Sequence, residues 1–209
     1  YVDIEIGVGP GPSTQRRVAY RGQKTRPILV FGTTEYFAEG TRIPVAAGRF
    51  LSGTEVQHRT NAVVLGHTAH QLLFELQGID PIGKTVRLGS AQFTVVGVFG
   101  KRPSPGNIEA GQDDFVVIPY TTYQRVYGLR LVDDIRGSIV TPVQISVVPL
   151  PGVNQATALA EVERIMRVRH GLRFDEPNDF DIVTQDAVLE LWTQISQATI
   201  STRKDPYRR

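Results

Sequence analysis

Cysteine does not occur in the 209 residues, and methionine and tryptophan occur once each, at Met166 and Trp192. Without cysteine there is no disulfide, thiolate zinc site or cysteine nucleophile, and the composition suits an oxidising extracytoplasmic compartment. No run of 18 apolar residues occurs, so no segment is expected to span a bilayer as a helix, and no basic-then-apolar leader marks a signal peptide. The chain begins at Tyr1 and its methionine is internal, so it reads as an excised or processed piece of something longer. Charge of one sign is also scarce in excess: 23 Lys and Arg against 21 Asp and Glu leave a net +2. What is present is ordinary for a globular chain, 41% hydrophobic and 21% charged residues, enough to bury a core as one domain or two small ones.

The stretch "GIDPIGKT", Gly78 to Thr85, fits the phosphate-loop pattern G-x-x-x-x-G-K-S/T letter for letter. That pattern carries nucleotide chemistry only where a strand precedes it and a helix follows, because the phosphates rest on loop amides and on the new helix's N-terminus. Here the order is inverted. Upstream, Ala69, Leu72, Leu73 and Leu76 recur at the spacing of one buried helical face. Downstream, Val86 and Leu88, then Phe93 and Val95, alternate with polar residues about Gly89-Ser90, which predicts a β-hairpin. Gly78 is then the left-handed end of a helix, Pro81 fixes a turn and Gly83 admits the chain to a strand. A structural turn and no cofactor are expected. Glycines 7, 9 and 11, interrupted by Pro10 and Pro12, likewise read as a turn rather than a dinucleotide loop.

Other constellations point away from catalysis. His67 and His70, with His58 or Glu75, are the one candidate metal set, but no positioned carboxylate accompanies them and surface roles are expected. Asp113-Asp114 and Asp133-Asp134 are chain neighbours; in an extended segment they point to opposite faces and cannot act on one substrate as acid and base, so loop solvation is expected. No Gly-x-Ser-x-Gly elbow occurs. No catalytic, cofactor-binding or metal centre is therefore expected. The arginines read as scattered and the aromatics as core, which argues against nucleic acid.

Along the chain, "VDIEIGV", "RRVAY" and "PILVFG" read as strands, "TEYFAEG" as a short helix and "IPVAAGRFLSGTEV" as an irregular connection. From about Asn61 come the strand "NAVVLG", a helix ending at Gly78, the hairpin, the strand "FVVIP" and the helix "TTYQRVYG". A strand "PVQISVVP" follows, then a helix over 154–170 with Leu159, Val162 and Met166 inward and Gly171 ending it. A strand "DFDIVT" and a last helix striped by Val188, Leu191, Trp192 and Ile195 complete the pattern. Strands before and after the middle unit predict an α+β fold in which residues 1–56 and 139–200 form one domain interrupted by an inserted part, 57–138. The polar "GKRPSPGNIEAGQD" between Gly100 and Asp114 has the length of a functional or disordered loop. Residues 201–209, with Arg203, Lys204, Arg208 and Arg209, read as a solvated basic tail.

The order "EYF", "AAGRF", "NAVVLGHTAHQLLF", "DPIGKTVRLGSAQFTVVGVFG" and "DDFVVIPYTTY", from about Gly32 to Tyr127, resembles the extracytoplasmic (periplasmic) core domain of MacB-type ABC transporter permeases, the wider MacB/FtsX group. The resemblance implies a discontinuous α+β porter-like domain with an inserted sabre-like part, set between the first two membrane helices of a permease. It also implies that ATP is hydrolysed by a separate cytoplasmic domain, and it brings no shared catalytic motif. The expected function is non-catalytic: relay of ATP-driven conformational change to a substrate or partner outside the membrane. Expected partners are a second permease copy or homologue, the cytoplasmic ATPase acting through the membrane helices, and a periplasmic adaptor. An extracytoplasmic ligand-binding or sensory module is the alternative, and a large apolar pocket with convergent polar groups would favour it. Because the inserted part of the resembled family projects away from the membrane, Arg102 and Ile108 of the long loop are the expected partner contacts. One departure stands out: after "LWTQISQAT" the family enters an apolar membrane helix, whereas "ISTRKDPYRR" is polar.

Overall fold

Runs of valine, isoleucine and phenylalanine separated by short polar turns favour extended backbone, and in the first of two contact-defined units, Tyr1–Val148, they pair into one mixed sheet of eleven strands. The computed structural model describes residues 2–6, 15–41, 43–102, 113–128, 131–133, 138–140 and 143–184. Strands β1 (Val2–Ile6), β2 (Gln15–Arg16), β3 (Val18–Tyr20), β4 (Gln23–Lys24) and β5 (Ile28–Thr33) precede helix α1 (Phe37–Thr41). Strand β6 (Val45–Gly48) and helix α2 (Gly53–Gln57) lead to β7 (Ala62–Leu65), helix α3 (His67–Leu73) and the hairpin β8 (Thr85–Leu88) and β9 (Ala91–Phe99). Then come β10 (Phe115–Pro119), helix α4 (Tyr120–Tyr127), a separate hairpin of β11 (Leu131–Asp133) and β12 (Ser138–Val140), and β13 (Val143–Val147). Across the sheet the order is β13-β1-β5-β10-β7-β9-β8-β3-β4, with β2 also on β5 and β6 also on β9. The β5·β10 and β7·β9 pairs are parallel.

Parallel strands in the middle of a sheet are covered on both faces and read as continuous apolar runs. Every residue of β7 and of β10 is buried. Val63 and Leu65 with Val116 and Ile118 face one core, closed by Ala69 and Leu73 of α3, Phe74, and Tyr123 of α4. Ala62 and Val64 with Phe115 and Val117 face a second core, closed by Phe37, Ile43, Leu51 and Phe99. Two faces of the same strands thus carry two separate cores.

The helix upstream of the turn is shorter than its spacing suggests. Ala69 and Leu73 are buried, but α3 stops at Leu73 and tightens into a 3-10 turn over Glu75–Gln77, which leaves Leu72 and Leu76 exposed and puts Phe74 in the core. The segment 43–56 is not an irregular connection. It contains β6, paired with β9 through a bulge, and α2, whose capping box joins Ser52 and Glu55.

The sheet does not part at residues 57 and 138. Strands β3, β5 and β6 from before that stretch pair directly with β8, β10 and β9 inside it, and the contacts divide the chain between Val148 and Pro149.

The second unit, Pro149–Arg209, holds helix α5 (Gln155–His170). The Asn154 side chain caps it by accepting from the Ala156 N–H at 2.8 Å, and Gly171 ends it at φ 70°. Leu159, Val162 and Met166 are half-buried, the inward stripe expected. Residues 179–184 make no strand; among the described residues of this unit there is no other strand to pair with. The last helix, with Val188, Leu191, Trp192 and Ile195, and the tail 201–209 lie outside the described residues.

Candidate functional site

The long loop leaves the sheet where β9 ends and returns where β10 begins, and because β7 lies between those strands the loop's base crosses the end of β7. Gly66, just past β7, makes the crossing feasible. Its N–H donates to the Phe115 carbonyl at 3.0 Å, and a Cβ there would lie 2.4 Å from that oxygen and 2.7 Å from the Asp113 carbonyl. Any side chain would push the returning limb off the sheet.

Arg102 on the outgoing limb and Asp113 on the returning limb close the neck. The Arg102 Nε donates to Asp113 Oδ1 at 2.8 Å, its main-chain N–H to Oδ2 at 3.3 Å, and its guanidinium carbon lies 5.0 Å from the Phe115 ring centroid. The side chains are 30% and 11% exposed. Next to it Asp114 pairs with Arg26 while its carbonyl accepts the Leu29 N–H at 3.0 Å. Asp113 and Asp114 are thus ion-paired and largely buried rather than solvating a loop. Arg102, expected as a contact, has its guanidinium engaged inside the neck. Ile108 lies outside the described residues.

The phosphate-loop look-alike is a turn. Gly78 (φ 63°) and Gly83 (φ 75°) are both left-handed, Asp80 Oδ1 accepts the Ile82 N–H at 3.0 Å, and the Lys84 N–H reaches the Pro81 carbonyl at 3.1 Å. The strand β8 follows, so no helix N-terminus faces the glycines. His67 and His70 sit at the start of α3, where burial and the neighbouring His67 hold the His70 imidazole below its usual value. Among the described residues no three His, Asp or Glu side chains gather as a metal set. Asp133 lies in β11, and Asp134 is outside the described residues.

Among the described residues the most strongly shifted carboxylate belongs to a structural pair. Two hydrogen bonds of 2.8 Å from Arg49, helped by the Ser52 N–H and hydroxyl, hold Glu55 down to about 2 despite burial. This ties the end of β6 to the start of α2. Burial, only partly offset by Arg16 above the ring, pushes the Tyr127 phenol up to about 12, and it donates to the Leu88 carbonyl at 3.0 Å.

Sequence reading also missed a basic face. The arginines are not scattered in space: β3 pairs with β8, which brings Arg21 and Lys24 beside Arg87 around a shallow hollow of about 290 Å³.

Residues 5–165 match the family described as MacB-like periplasmic core domain. The chain belongs to that family. Among curated relatives, the macrolide export ATP-binding/permease protein MacB of Azoarcus sp. (strain BH72) is 31% identical over 86% of this chain and 25% of its own length. The same-named protein of Sodalis glossinidius is 28% identical over 90% of this chain and 26% of its own length. The chain therefore spans about a quarter of the curated relatives it matches. The crystal structure of the periplasmic region of MacB from Actinobacillus actinomycetemcomitans shares the fold at a TM-score of 0.63, with 16% identity and 92% of each chain covered. The extracellular domain of the ABC-type transporter YknZ from Gram-positive bacteria does so at 0.57 and 16% identity, over 82% of this chain and 76% of that one. This is a periplasmic core domain of the MacB type, a domain of ABC-transporter permease proteins, and its α+β fold agrees with the sequence reading.

Proposed function

We propose that this MacB-like periplasmic core domain is a non-catalytic relay, carrying conformational change driven by ATP hydrolysis elsewhere to a substrate or partner outside the membrane. The observation that supports it is the clasped neck on an unbroken sheet. Hydrogen-bonded ladders run from β13 and β1 through β5 to β10, β7 and β9, so a displacement of β1 moves the base of the loop with it. Interiors this densely packed transmit displacement rather than absorb it. Among the described residues the titratable groups with large shifts, Glu55 and Tyr127, are engaged in packing and capping rather than converging on a cleft.

In this reading the loop 101–114 meets the partner, with Ile108 as the contact and Arg102 fixing the limb that carries it. The partner is a second permease copy or homologue, or a periplasmic adaptor, and the ATPase acts through the membrane helices. The test is made in the full-length transporter. Replacing residues 103–112 by a Gly/Ser segment, or Ile108 by Asp, is expected to lower export while leaving basal ATP hydrolysis and the melting temperature of the domain in place. Unaltered export would remove the loop from the mechanism.

A further inference from the structure

Two stretches of this nearly neutral chain contain no Asp or Glu. Residues 6–34 carry Arg16, Arg17, Arg21, Lys24 and Arg26, and residues 81–108 carry Lys84, Arg87, Lys101 and Arg102. The fold pairs these stretches with each other through β3 and β8. Arg26 and Arg102 are consumed by Asp114 and Asp113, and Arg16 lies over Tyr127. Among the described residues no carboxylate pairs with Arg17, Arg21, Lys24, Lys84 or Arg87.

The register places part of this charge in one row. Lys24 is opposite Ala19, Ala19 opposite Arg87, and Arg87 opposite Gln92, and residues directly opposite in antiparallel pairs project on the same face. That face is the one away from the core, since Val18, Tyr20, Val86, Leu88 and Phe93 on alternate positions are buried. Ala19 makes a low floor between two long cations. Arg21, at the β3–β4 turn, and Thr85 and Gln92 complete the rim of the 290 Å³ hollow.

We propose that this face docks an acidic, extended segment of a protein partner. The spacing selects the occupant. Lys24 and Arg87 stand two strand steps apart, about 10 Å, whereas a single phosphate needs donors converging within about 3 Å. Alternate carboxylates of an extended chain recur every 6–7 Å or so and lie on one side of it, which suits cations spread over three strands. The low alanine floor lets that backbone approach, and Thr85 and Gln92 supply uncharged hydrogen-bonding groups between the cations. None of the residues that line the hollow comes from the 101–114 segment, so the proposal stands or falls independently of the proposed loop contact.

The test uses the whole 209-residue chain and a fluorescein-labelled peptide of alternating Glu and Thr, followed by anisotropy at low salt. Saturable binding is expected, weakened roughly three- to tenfold by Lys24→Gln with Arg87→Gln, the range for losing two exposed ion pairs. Arg169→Gln with Lys101→Gln, which removes the same net charge elsewhere, is expected to change it less than twofold. Thr85→Glu is a second variant at an exposed strand position and should weaken binding similarly. Inorganic phosphate is the comparator. Absence of saturable binding, equal loss in both double variants, or displacement of the peptide by phosphate at equal concentration would each overturn the proposal.

Discussion

Removing the Arg102 side chain tests whether the neck is held by that residue or merely decorated by it. An exposed ion pair is worth about 0.2–1 kcal/mol, and stripping one partner from a buried pair costs about 3–5 kcal/mol. With exposures of 30% and 11%, the Arg102–Asp113 pair lies between these limits. After Arg102→Ala the main-chain N–H still serves Asp113 Oδ2, which moderates the loss, while the cation over Phe115 disappears and adds about 0.5–1 kcal/mol. The expected cost is about 2 kcal/mol. For a unit of this size that lowers the melting temperature by about 4–8 °C. Thermal unfolding followed by circular dichroism, in a cycle with Asp113→Ala, should show each single change costing about as much as the double, a coupling of about 1–2 kcal/mol. Arg102→Lys keeps the charge but loses the Nε donor and the flat stacking surface, so it should recover less than half. A cost under about 0.5 kcal/mol together with additive singles would refute the clasp and release the guanidinium for a partner.

Three further outcomes are expected. Glu55, depressed to about 2 in the folded chain, contributes stability that is fully present above its unfolded value and is lost as pH falls through the folded one. Because Arg49 is 56% exposed, that contribution is discounted to about 1 kcal/mol, and the gap in denaturant midpoint between the native chain and Glu55→Gln should be constant above pH 5 or so and close between about pH 4 and 2. Gly97→Ala would put its Cβ 2.0 Å from the Arg49 carbonyl oxygen, a main-chain atom held by β6 and α2, so a loss of about 2–4 kcal/mol by chemical denaturation is expected, and a neutral result would contradict the close approach. Lys84→Ala should shift stability by less than about 0.5 kcal/mol, and titration calorimetry with Mg-ATP should be silent in both chains; micromolar binding lost in the variant would overturn the structural reading of the turn.

Local signals carried the sequence reading where the physics is local. Helix α5 was legible because a stripe at 159, 162 and 166 runs up to a left-handed glycine that ends it. The 78–85 turn was legible from its neighbours, since a helix before and a hairpin after exclude a phosphate cradle whatever the eight letters say. The capping box of α2 was also present, as "SGTE", but the two glycines of 43–56 masked it. What sequence could not supply was pairing between distant strands. Nothing in the letters of "GKRPSPGNIEAGQD" says that Arg102 turns back onto Asp113, because that depends on β7 lying between β9 and β10.

The same dependence explains why the basic face escaped notice. Positive charge spread along a chain is diluted when counted by segment, and the near balance of 23 against 21 hides it completely. Charge acts through space over roughly a Debye length, about 8–10 Å, so the quantity that matters is how many unpaired cations fall within that radius after folding. The antiparallel register of β4, β3 and β8 fixes that number by putting Lys24 and Arg87 on either side of Ala19. A one-residue slip of β8 against β3 would turn Arg87 inward and Val86 outward, exposing a core residue and burying a charge. The hydrophobic alternation that secures the core therefore also holds the cations outward together, and selection for packing alone maintains their geometry but not their sign. That Lys24 and Arg87 both carry positive charge, with no acidic residue in either stretch, is what packing does not require, and it is the feature an acidic partner segment accounts for.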